Sequence, residues 1–331
     1  MVLKRVSLQF SRRSDEEFVD KTLKLGLRYV PFVLCIAFIS LWYAVFLAAL
    51  FLLVPTRLEA VVYWGVGTSL LGMLFWSFFY AQFKQPPALD RETLLETPAN
   101  EQQRRLRELV AERRLNAASN WYLFQDGWKL IVRWCAFCRQ VKPRRAHHCR
   151  QCGRCLQRMD HHCFWVGTCV HQSNTKAFIL FNVYATSLCA LTISCAPWYI
   201  LAYRRTIDWE NDWAHLNTAL ALLVTYLAMA GVAVSAVAGA VLAFALCYWL
   251  AHLGVNMTML EKLEYRSIAN GWRAPLYDLG SWQANLAQTL GRDRRLWWLP
   301  MDRTDAVAIE YSEPHFALVD THALSQQLYV Y

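Results

Sequence analysis

Four long stretches of the chain contain no Asp, Glu, Lys or Arg. They cover residues 30–54, 60–83, 177–203 and 216–251, and are 25, 24, 27 and 36 residues long. A helix needs about 20 predominantly apolar residues to cross the hydrocarbon core of a bilayer. Since helices of soluble cores rarely run so far without a charge, the pattern predicts four transmembrane helices. We expect the fourth to tilt strongly or to continue beyond the membrane at one end.

The composition also indicates a membrane protein. Hydrophobic residues make up 56% of the 331 residues and charged residues only 18%, whereas about 25% of the residues of an ordinary soluble domain are charged. A wholly soluble protein and an acidic disordered chain are therefore excluded. Residues 1–28 carry charges of both signs, and the first apolar stretch is longer than the core of a signal peptide. We expect the first helix to be retained as an anchor.

The distribution of Lys and Arg predicts which side of the membrane each segment faces. With four spans, residues 1–28, 84–176 and 252–331 share one side and hold 31 of the 34 cations, whereas the two connections on the other side hold 3. By the positive-inside rule, the cation-rich side is the cytosol. The sequence thus predicts cytosolic termini and a cytosolic loop between the second and third helices.

Most cysteines are concentrated in this loop. Seven of the 11 cysteines of the chain fall within 35 residues. They are Cys135, Cys138, Cys149, Cys152, Cys155, Cys163 and Cys169. Cytosolic thiols stay reduced, so a dense cluster indicates a metal or catalytic site rather than disulfides. The other four cysteines lie in the predicted spans, where Cys is a common buried residue.

The spacing within the cluster indicates zinc. A Cys-x2-Cys pair brings two thiolates to one tetrahedral ion, and such pairs overlap at Cys149, Cys152 and Cys155. Overlapping pairs require more than one ion: Cys152 cannot be a terminal ligand for the pairs on both sides of it, so either the three neighbouring thiols are divided between two ions or one of them is not a ligand. Two closed tetrahedral sites need eight ligands, and the seven cysteines with five nearby histidines supply twelve candidates. Spacing alone leaves open which four candidates remain for other work.

The loop also has a characteristic order of residues. This order is Cys135, Cys138, Lys142-Pro143, Arg145, His148-Cys149, Cys152, Cys155, Asp160-His161-His162-Cys163, Cys169, Asn174 and Phe178. With it, residues 135–178 resemble the cysteine-rich domain of the DHHC protein S-acyltransferases, the palmitoyltransferases. The resemblance implies an all-α polytopic membrane protein with four transmembrane helices. It also implies a cytosolic zinc-bound cysteine-rich domain inserted between helices 2 and 3.

The resemblance and the apolar stretches together divide the chain into segments. The expected segments are a cytosolic N-terminal segment (1–29), helices 1 and 2 (30–83), a cytosolic linker with a charged helix (84–134), the DHHC zinc domain (135–178), helices 3 and 4 (177–251) and a cytosolic C-terminal region (252–331). The chain departs from the family pattern at Phe164, at Gly167-Thr168 and at Met259, which takes the place of the second Thr in a Thr-Thr-x-Glu box. None of these departures removes an implied ligand.

Position by position, the resemblance implies two structural Zn²⁺ ions with interleaved ligands. One ion is implied to bind Cys135, Cys138, His148 and Cys155, and the other Cys149, Cys152, His162 and Cys169. Cys163 then lies outside both sets and is implied to be the catalytic nucleophile. A thiol becomes an effective nucleophile beside an imidazole base. His161 is implied to be that base, with Asp160 orienting its ring.

The implied reaction transfers a long-chain acyl group such as palmitoyl. Cys163 takes the group from acyl-CoA as a thioester and passes it to cysteines of cytosolic or membrane proteins. The residues implied to contact acyl-CoA are Lys142, Arg145, His147, Trp165, Phe178 and Phe181. For the cations, the alternative is a solvated face or attraction to anionic lipid headgroups. For the two phenylalanines, the alternative is ordinary helix packing or lipid contact.

Two other functions compete with acyl transfer. An inactive zinc-containing membrane scaffold would bind lipidated proteins without acylating them, and only chemistry separates it from the enzyme. A membrane-anchored RING-type ubiquitin ligase also interleaves two zinc sites, but it would end in another Cys-x2-Cys pair, whereas five residues separate Cys163 from Cys169.

The expected partners follow from the acyl-transfer hypothesis. They are acyl-CoA, protein substrates with membrane-proximal cysteines and the lipid bilayer, with no nucleic acid. The resemblance implies a multi-pass protein of the Golgi, the endoplasmic reticulum or another endomembrane.

Overall fold

The structure is a computed structural model of the chain. It describes residues 26, 29–51, 57–86, 120–125, 128–135, 137–138, 140–142, 145–207, 215–268, 277–301 and 317–319. The charged helix predicted within 84–134, and residues 1–25 of the N-terminal segment, lie outside this part of the chain.

Within the part of the chain that the structure describes, four helices are long and apolar enough to cross a membrane, which agrees with the number predicted from the sequence. They are α1 (Tyr29–Phe51), α2 (Arg57–Phe83), a third span over Thr175–Leu201 and a fourth over Leu222–Gly254. The fourth span belongs to helix α5, which runs for 40 residues from His215 to Gly254. At 1.5 Å per residue α5 is about 60 Å long. It is therefore about twice as long as a hydrocarbon core is thick.

The third span consists of two helices, α3 (Thr175–Ser194) and α4 (Ala196–Ile207). Pro197 explains the break between them. Proline has no backbone N–H, and its ring clashes with the carbonyl four residues earlier in a continuous helix. At this junction the N–H of Cys195 donates to the carbonyl of Thr192 over 3.2 Å, which closes a tighter turn.

The segment between α2 and α3 is built from short strands, so the expected all-α class describes only the helical majority of the protein. Strands β1 (Asn120–Gln125), β2 (Trp128–Cys135) and β3 (Gln140–Lys142) form an antiparallel sheet, and β8 (Ala317–Val319) also pairs with β2. The strands β4 (Ala146–Cys149) and β5 (Arg154–Gln157) form a hairpin, as do β6 (His161–Cys163) and β7 (Thr168–Val170).

The turns of both hairpins contain glycine in the left-handed region. Gly153 has a φ of 66° and Gly167 a φ of 72°, which residues with a side chain rarely adopt. The N–H of Gly153 donates to the carbonyl of Cys149 over 2.9 Å, and that of Gly167 to the carbonyl of Cys163 over 2.9 Å. In the β4–β5 hairpin the turn also brings together the thiols of a Cys-x2-Cys pair, Cys149 and Cys152.

The described residues fall into two compact units. The first comprises those of Met1–Gly72, Cys163–Thr168 and Ala185–Val241, and the second those of Met73–His162, Cys169–Tyr184 and Leu242–Tyr331. Within the first unit, the hydroxyls of Tyr43 and Thr68 are 2.8 Å apart, and a Cβ on Gly67 would lie 3.2 Å from the ring of Phe46. Glycine thus permits the close approach of α1 and α2.

The second unit contains two helices that follow α5. They are α6 (Met259–Ile268) and α7 (Trp282–Leu290), followed by a 3-10 turn at Arg294–Leu296. The side chain of Asn285 in α7 donates to the carbonyl of Gly254 over 2.6 Å and to a carboxylate oxygen of Asp278 over 2.7 Å. Ser281 caps the first turn of α7 by accepting from the N–H of Ala284 over 3.2 Å. The polar residues of this tail thereby attach α7 to the end of α5.

Candidate active site

The first Cys/His group gathers residues from three strands and a turn. It consists of Cys135, Cys138, His148 and Cys155, whose candidate ligand atoms all lie within 4.8 Å of one another. Nδ1 of His148 is 3.4 Å from Sγ of Cys135, 3.2 Å from Sγ of Cys138 and 3.8 Å from Sγ of Cys155. The register of the β4–β5 hairpin contributes to this group because it pairs His148 with Cys155.

The second group consists of Cys149, Cys152, His162 and Cys169, again with all candidate ligand atoms within 4.8 Å. Nδ1 of His162 is 3.6 Å, 3.4 Å and 3.5 Å from the three sulfurs, in chain order. The groups interleave on β4, where His148 belongs to one and Cys149 to the other. Successive side chains of a strand point to opposite faces, so two neighbouring residues serve two sites.

Both groups fit a structural zinc ion. Sulfur and nitrogen ligands about 2.0–2.3 Å from a tetrahedral ion lie about 3.3–3.8 Å from one another, which agrees with the distances from each histidine to its three sulfurs. A set of three thiols and one imidazole is a usual ligand set for zinc. Four protein ligands also complete a tetrahedron, so neither group leaves a coordination position for a water molecule.

The sulfurs within each group perturb one another strongly. Hydrogen bonds from Cys149 and Cys169 lower the pKa of Cys152, whereas hydrogen bonds with Cys149 and Cys152 raise the pKa of Cys169. Hydrogen bonds with Cys149 and Cys152 also raise the pKa of His162 to about 9. In the first group, burial raises the pKa of Cys155. Thiols packed this closely share protons, and a divalent cation bound in the centre of the group would take the place of those protons.

Asp160, which is buried, and His161, which is partly buried, form a hydrogen-bonded pair directly before the second group's histidine. Oδ2 of Asp160 lies 2.7 Å from Nδ1 of His161. The other carboxylate oxygen accepts from the backbone N–H of Met259 over 2.8 Å, and the N–H of Asp160 donates to the carbonyl of Val170 over 2.9 Å. Asp160 is only 7% exposed. The carboxylate is therefore held from both sides, and it orients the imidazole.

Two aromatic rings enclose the imidazole of His161. Trp249 of α5 stacks on it with the ring centroids 4.9 Å apart and an interplanar angle of 11°. Phe178 of α3 approaches edge-on at 5.4 Å, and Phe178 and Trp249 also contact each other at 5.6 Å. Sequence analysis expected Phe178 near the reacting group but missed Trp249. No local signal marks Trp249, since it is one of 15 tryptophans and lies within an apolar span.

Cys163 ends β6 and belongs to neither Cys/His group. Its side chain is buried, with 8% exposed. It lies in the first compact unit, which also contains Cys35 of α1. The next two side chains, by contrast, are exposed. Phe164 and Trp165 are 65% and 61% exposed, and their rings contact each other edge-on with centroids 5.4 Å apart.

The expected acyl-CoA contacts lie in different surroundings. Phe181 stacks on Phe78 of α2 with centroids 4.7 Å apart, as expected for helix packing. Lys142 and His147 are half-buried. Arg145, by contrast, is 6% exposed. Its Nε donates to Glu261 over 2.6 Å and its Nη2 to the second carboxylate oxygen over 2.9 Å. In this conformation the guanidinium of Arg145 is buried and is not exposed to solvent, where it could bind a phosphate of CoA.

Glu261 is the acidic residue of the box that sequence analysis noted at Thr258-Met259-Leu260-Glu261. Burial is the largest single effect and acts to raise the pKa of its carboxyl, but the hydrogen bonds and charge of Arg145, together with the N–H of Thr258 and the charge of Arg158, outweigh burial and the pKa is lowered. The guanidinium of Arg145 also lies 4.2 Å from the ring of Tyr277 and donates to Asn256. The box thus joins α6 to the segment that carries the two Cys/His groups (residues 135–169), and the backbone N–H of Met259 donates to Asp160 although Met259 lacks a hydroxyl.

Asn174 connects the second Cys/His group to the helices. Its side chain is completely buried and donates to the carbonyl of Ala81 over 2.8 Å and to that of Cys169 over 2.9 Å. Its Oδ1 accepts from the N–H of His171 over 2.7 Å. Burial lowers the pKa of His171 to about 4, so this ring is neutral at physiological pH. His171 lies outside both groups and packs at the start of α3.

Comparison with known proteins places the chain in a family. A family model described as DHHC palmitoyltransferase matches residues 130–266. The chain is 30% identical to palmitoyltransferase ZDHHC15A of Danio rerio over 285 residues, which cover 82% of this chain and 80% of that protein. It is 32% identical to the probable protein S-acyltransferase 14 of Arabidopsis thaliana over 240 residues, which cover 70% and 69%. The chain therefore belongs to the DHHC palmitoyltransferase family.

Proposed function

We propose that the protein is a membrane-bound protein S-acyltransferase with Cys163 as the nucleophile. The thiolate of Cys163 attacks the thioester carbonyl of a long-chain acyl-CoA such as palmitoyl-CoA, the bond to the CoA sulfur breaks, and CoA leaves as a thiol. A cysteine of a protein substrate then attacks the acyl-enzyme and releases Cys163. Each step exchanges one thioester for another, so no nucleotide or redox partner is required.

The observation that carries this proposal is the Asp160–His161 pair. Nδ1 of His161 donates to the carboxylate over 2.7 Å, which leaves Nε2 as the basic atom for a thiol proton. Asp160 stabilises the imidazolium that forms when the proton moves. Cys163 follows this pair by two residues and stands outside both Cys/His groups. Its sulfur is therefore not required as a metal ligand.

The stacked ring of Trp249 supports the same role for His161. A ring held between Asp160, Trp249 and Phe178 has little rotational freedom. Pre-organisation of a base matters because proton transfer depends on alignment within hydrogen-bond reach. We assign Trp249 as a positioning residue that keeps the imidazole plane fixed during both steps.

We propose two structural zinc ions, one in each Cys/His group. Zinc bound by four protein ligands supplies structural stabilisation and no reactive water. The ligands that would hold them are Cys135, Cys138, His148 and Cys155 for one ion, and Cys149, Cys152, His162 and Cys169 for the other. A short segment with few buried apolar residues needs such cross-links to hold Asp160 and His161 in place.

The acyl chain is proposed to lie among the membrane helices. Transfer of a 16-carbon chain from water gains about 0.8 kcal/mol per CH₂, or about 12 kcal/mol in all, before ordering costs. Cys163 and α1 belong to the same compact unit, which supports a thioester at the level of the helices. Trp165, Phe178 and Phe181 are proposed to contact the acyl end. Lys142 and His147 are proposed to contact the CoA phosphates, with Arg145 holding α6 in place.

The excess of Lys and Arg supports a cytosolic location for the zinc-binding segment and both termini. Acyl-CoA and substrate cysteines would then be reached from the cytosol. Proteins with a cysteine close to the membrane surface are the proposed substrates, in an endomembrane such as the Golgi or the endoplasmic reticulum.

The proposal is tested by incubating the purified protein with radiolabelled palmitoyl-CoA. We expect a hydroxylamine-sensitive label on the wild type and its loss from Cys163→Ser. Cys247→Ser is the matched control, because Cys247 is an exposed thiol of α5 outside the site, and it should label like the wild type. Equal labelling of Cys163→Ser would refute Cys163 as the acceptor.

A second step of the assay separates the enzyme from an inactive scaffold. Addition of a membrane-anchored peptide with one cysteine near its anchor should move the label from the protein to the peptide. A scaffold would bind the peptide and leave it unlabelled. Zinc analysis of the same samples should give two ions per chain for the wild type and for Cys163→Ser, and one or none would contradict the interleaved assignment.

A further inference from the structure

The segment after α7 is attached to the first turns of α3. Lys176, the second residue of α3, donates from Nζ to the carbonyl of Leu296 over 2.8 Å. The hydroxyl of Tyr184 donates to the carbonyl of Trp298. Lys176 and Tyr184 are eight residues apart, or about 12 Å along a helix axis. The segment around Leu296–Trp298 therefore lies beside the beginning of a membrane span.

The exposed and buried side chains around Leu296–Trp298 are arranged as in segments that lie at a membrane interface. Trp298 is 63% exposed and Met301 40% exposed. Trp297 is fixed by its indole N–H, which donates to the carbonyl of Gly291 over 2.8 Å. Tryptophan is enriched where the hydrocarbon core meets the headgroups. An exposed tryptophan beside the start of α3 is therefore placed to enter the bilayer rather than water.

Three arginines stand directly before these tryptophans. Arg292, Arg294 and Arg295 are all exposed, and Asp293 between them caps the 3-10 turn. The group has a net charge of +2, and the guanidinium of Arg294 lies 5.8 Å from the ring of Trp297. Arginine binds phosphate with two parallel hydrogen bonds. The combination of cations with an exposed tryptophan suits a lipid with an anionic headgroup.

The segment also continues directly from residues that hold the active site. Thr289 of α7 accepts from Nη1 of Arg158 over 2.8 Å, and Arg158 precedes Asp160 by two residues. A second nitrogen of Arg158 donates to Asn256 over 2.9 Å. Gly291 is the C-cap of α7, so Arg292 is the second residue after the last helical residue, Leu290. A lipid bound at the arginines would thus restrain the helix that holds Arg158.

We propose that Arg292, Arg294 and Arg295, together with Trp298, form a docking surface for anionic phospholipid headgroups of the adjoining leaflet. The phosphate and carboxylate of a lipid such as phosphatidylserine bind the guanidinium groups, and the indole of Trp298 lies among the acyl chains. The surface takes no part in the bond-making and bond-breaking steps of acyl transfer.

The test is native mass spectrometry of the purified, detergent-solubilised full chain titrated with dioleoylphosphatidylserine or dioleoylphosphatidylcholine. The variant Arg292→Gln/Arg295→Gln removes two cations and leaves the contact of Arg294 with Trp297. Each cation near an anionic lipid contributes about fivefold to binding. We expect the variant to bind phosphatidylserine about 25-fold more weakly than the wild type, with no change for phosphatidylcholine.

The matched control is Arg150→Gln/Arg154→Gln, which removes two exposed arginines from the zinc-binding segment. It should bind phosphatidylserine like the wild type. The surface is refuted if the Arg292/Arg295 variant binds phosphatidylserine within twofold of the wild type, or if the control loses as much. Free CoA in the titration distinguishes the source of phosphate, because displacement of the lipid by CoA would assign the arginines to CoA and overturn the proposal.

Discussion

Replacement of Glu261 by Gln is predicted to destabilise the protein substantially. The carboxylate and the guanidinium of Arg145 are each 6% exposed and are joined by hydrogen bonds of 2.6 and 2.9 Å. The carboxylate also accepts from the N–H of Thr258 over 2.7 Å. Glu261→Gln preserves the shape but leaves Arg145 buried without its counter-charge. Breaking a buried pair from one side costs about 3–5 kcal/mol.

This cost should be visible as a lower melting temperature. For a domain of 150–250 residues, 1 kcal/mol corresponds to about 2–4 °C, so the expected decrease is about 6–20 °C. Thermal unfolding in detergent, followed by tryptophan fluorescence or by zinc release, measures it. The double variant Arg145→Gln/Glu261→Gln should lose less than Glu261→Gln alone, because it removes the unpaired charge as well. A Glu261→Gln protein that melts within 1 °C of the wild type would refute the reasoning.

The pair of Arg145 and Glu261 also makes the stability of the fold depend on pH, in a direction that can be predicted. The pKa of Glu261 is lowered from its ordinary value of 4.5. A carboxyl with a lowered folded-state pKa stabilises the fold above its unfolded-state pKa, and the stabilisation is lost as pH falls through the folded-state value. The difference in stability between the wild type and Glu261→Gln should therefore be constant from pH 8 to 6 and shrink below about pH 4.5. Comparing the two proteins cancels losses that both share, such as protonation of the zinc ligands.

Three further predictions concern the site itself. Asp160→Asn should slow acylation of Cys163 by at least about 100-fold, because His161 loses its orienting carboxylate, and the zinc content should be unchanged. Single-turnover labelling measures the rate, and a decrease below threefold would contradict this prediction. Trp249→Leu should slow the same step while Trp249→Phe restores most of the rate, because only an aromatic ring can stack on the imidazole; equal rates for both variants would remove Trp249 from its positioning role. A strong chelator should withdraw two zinc ions and expose the zinc-binding segment to protease, and full protection after zinc loss, measured by limited proteolysis, would show that the metals are not structural.

The residues around Asp160 illustrate why parts of the site were inaccessible to sequence reasoning. The N–H of Met259 reaches Asp160 across 99 positions of the chain, and Arg145 reaches Glu261 across 116. Neither contact has a local period or spacing that would reveal it. Binding of Arg145 to a CoA phosphate was expected from the family resemblance and from its charge. Burial of its guanidinium against α6 decides its partner, and burial depends on the packing of the whole segment.

The length of the uninterrupted apolar stretches, by contrast, was sufficient to predict the membrane helices. A membrane-spanning helix requires only enough consecutive apolar residues. The uninterrupted stretches of 24 to 36 residues exceed that requirement, whatever the packing of the helices. The break at Cys195 was not predicted, although Pro197 provides a local signal for it. The strands β4 to β7 were also missed. They are three or four residues long, which is too short for an alternating pattern to stand out.

The sequence by itself determined the four membrane helices and the concentration of thiols in one loop, because both depend on residues that are close together in the chain. It also carried the family resemblance. Spacing alone left the ligand sets open and the family resemblance implied them, whereas the tertiary structure gives their geometric basis, since the register of β4 and β5 sets His148 opposite Cys155. Only the tertiary structure decided that Trp249 covers His161 and that Arg145 is buried against Glu261. These contacts join distant segments, and their energies depend on burial, which no local stretch of sequence contains.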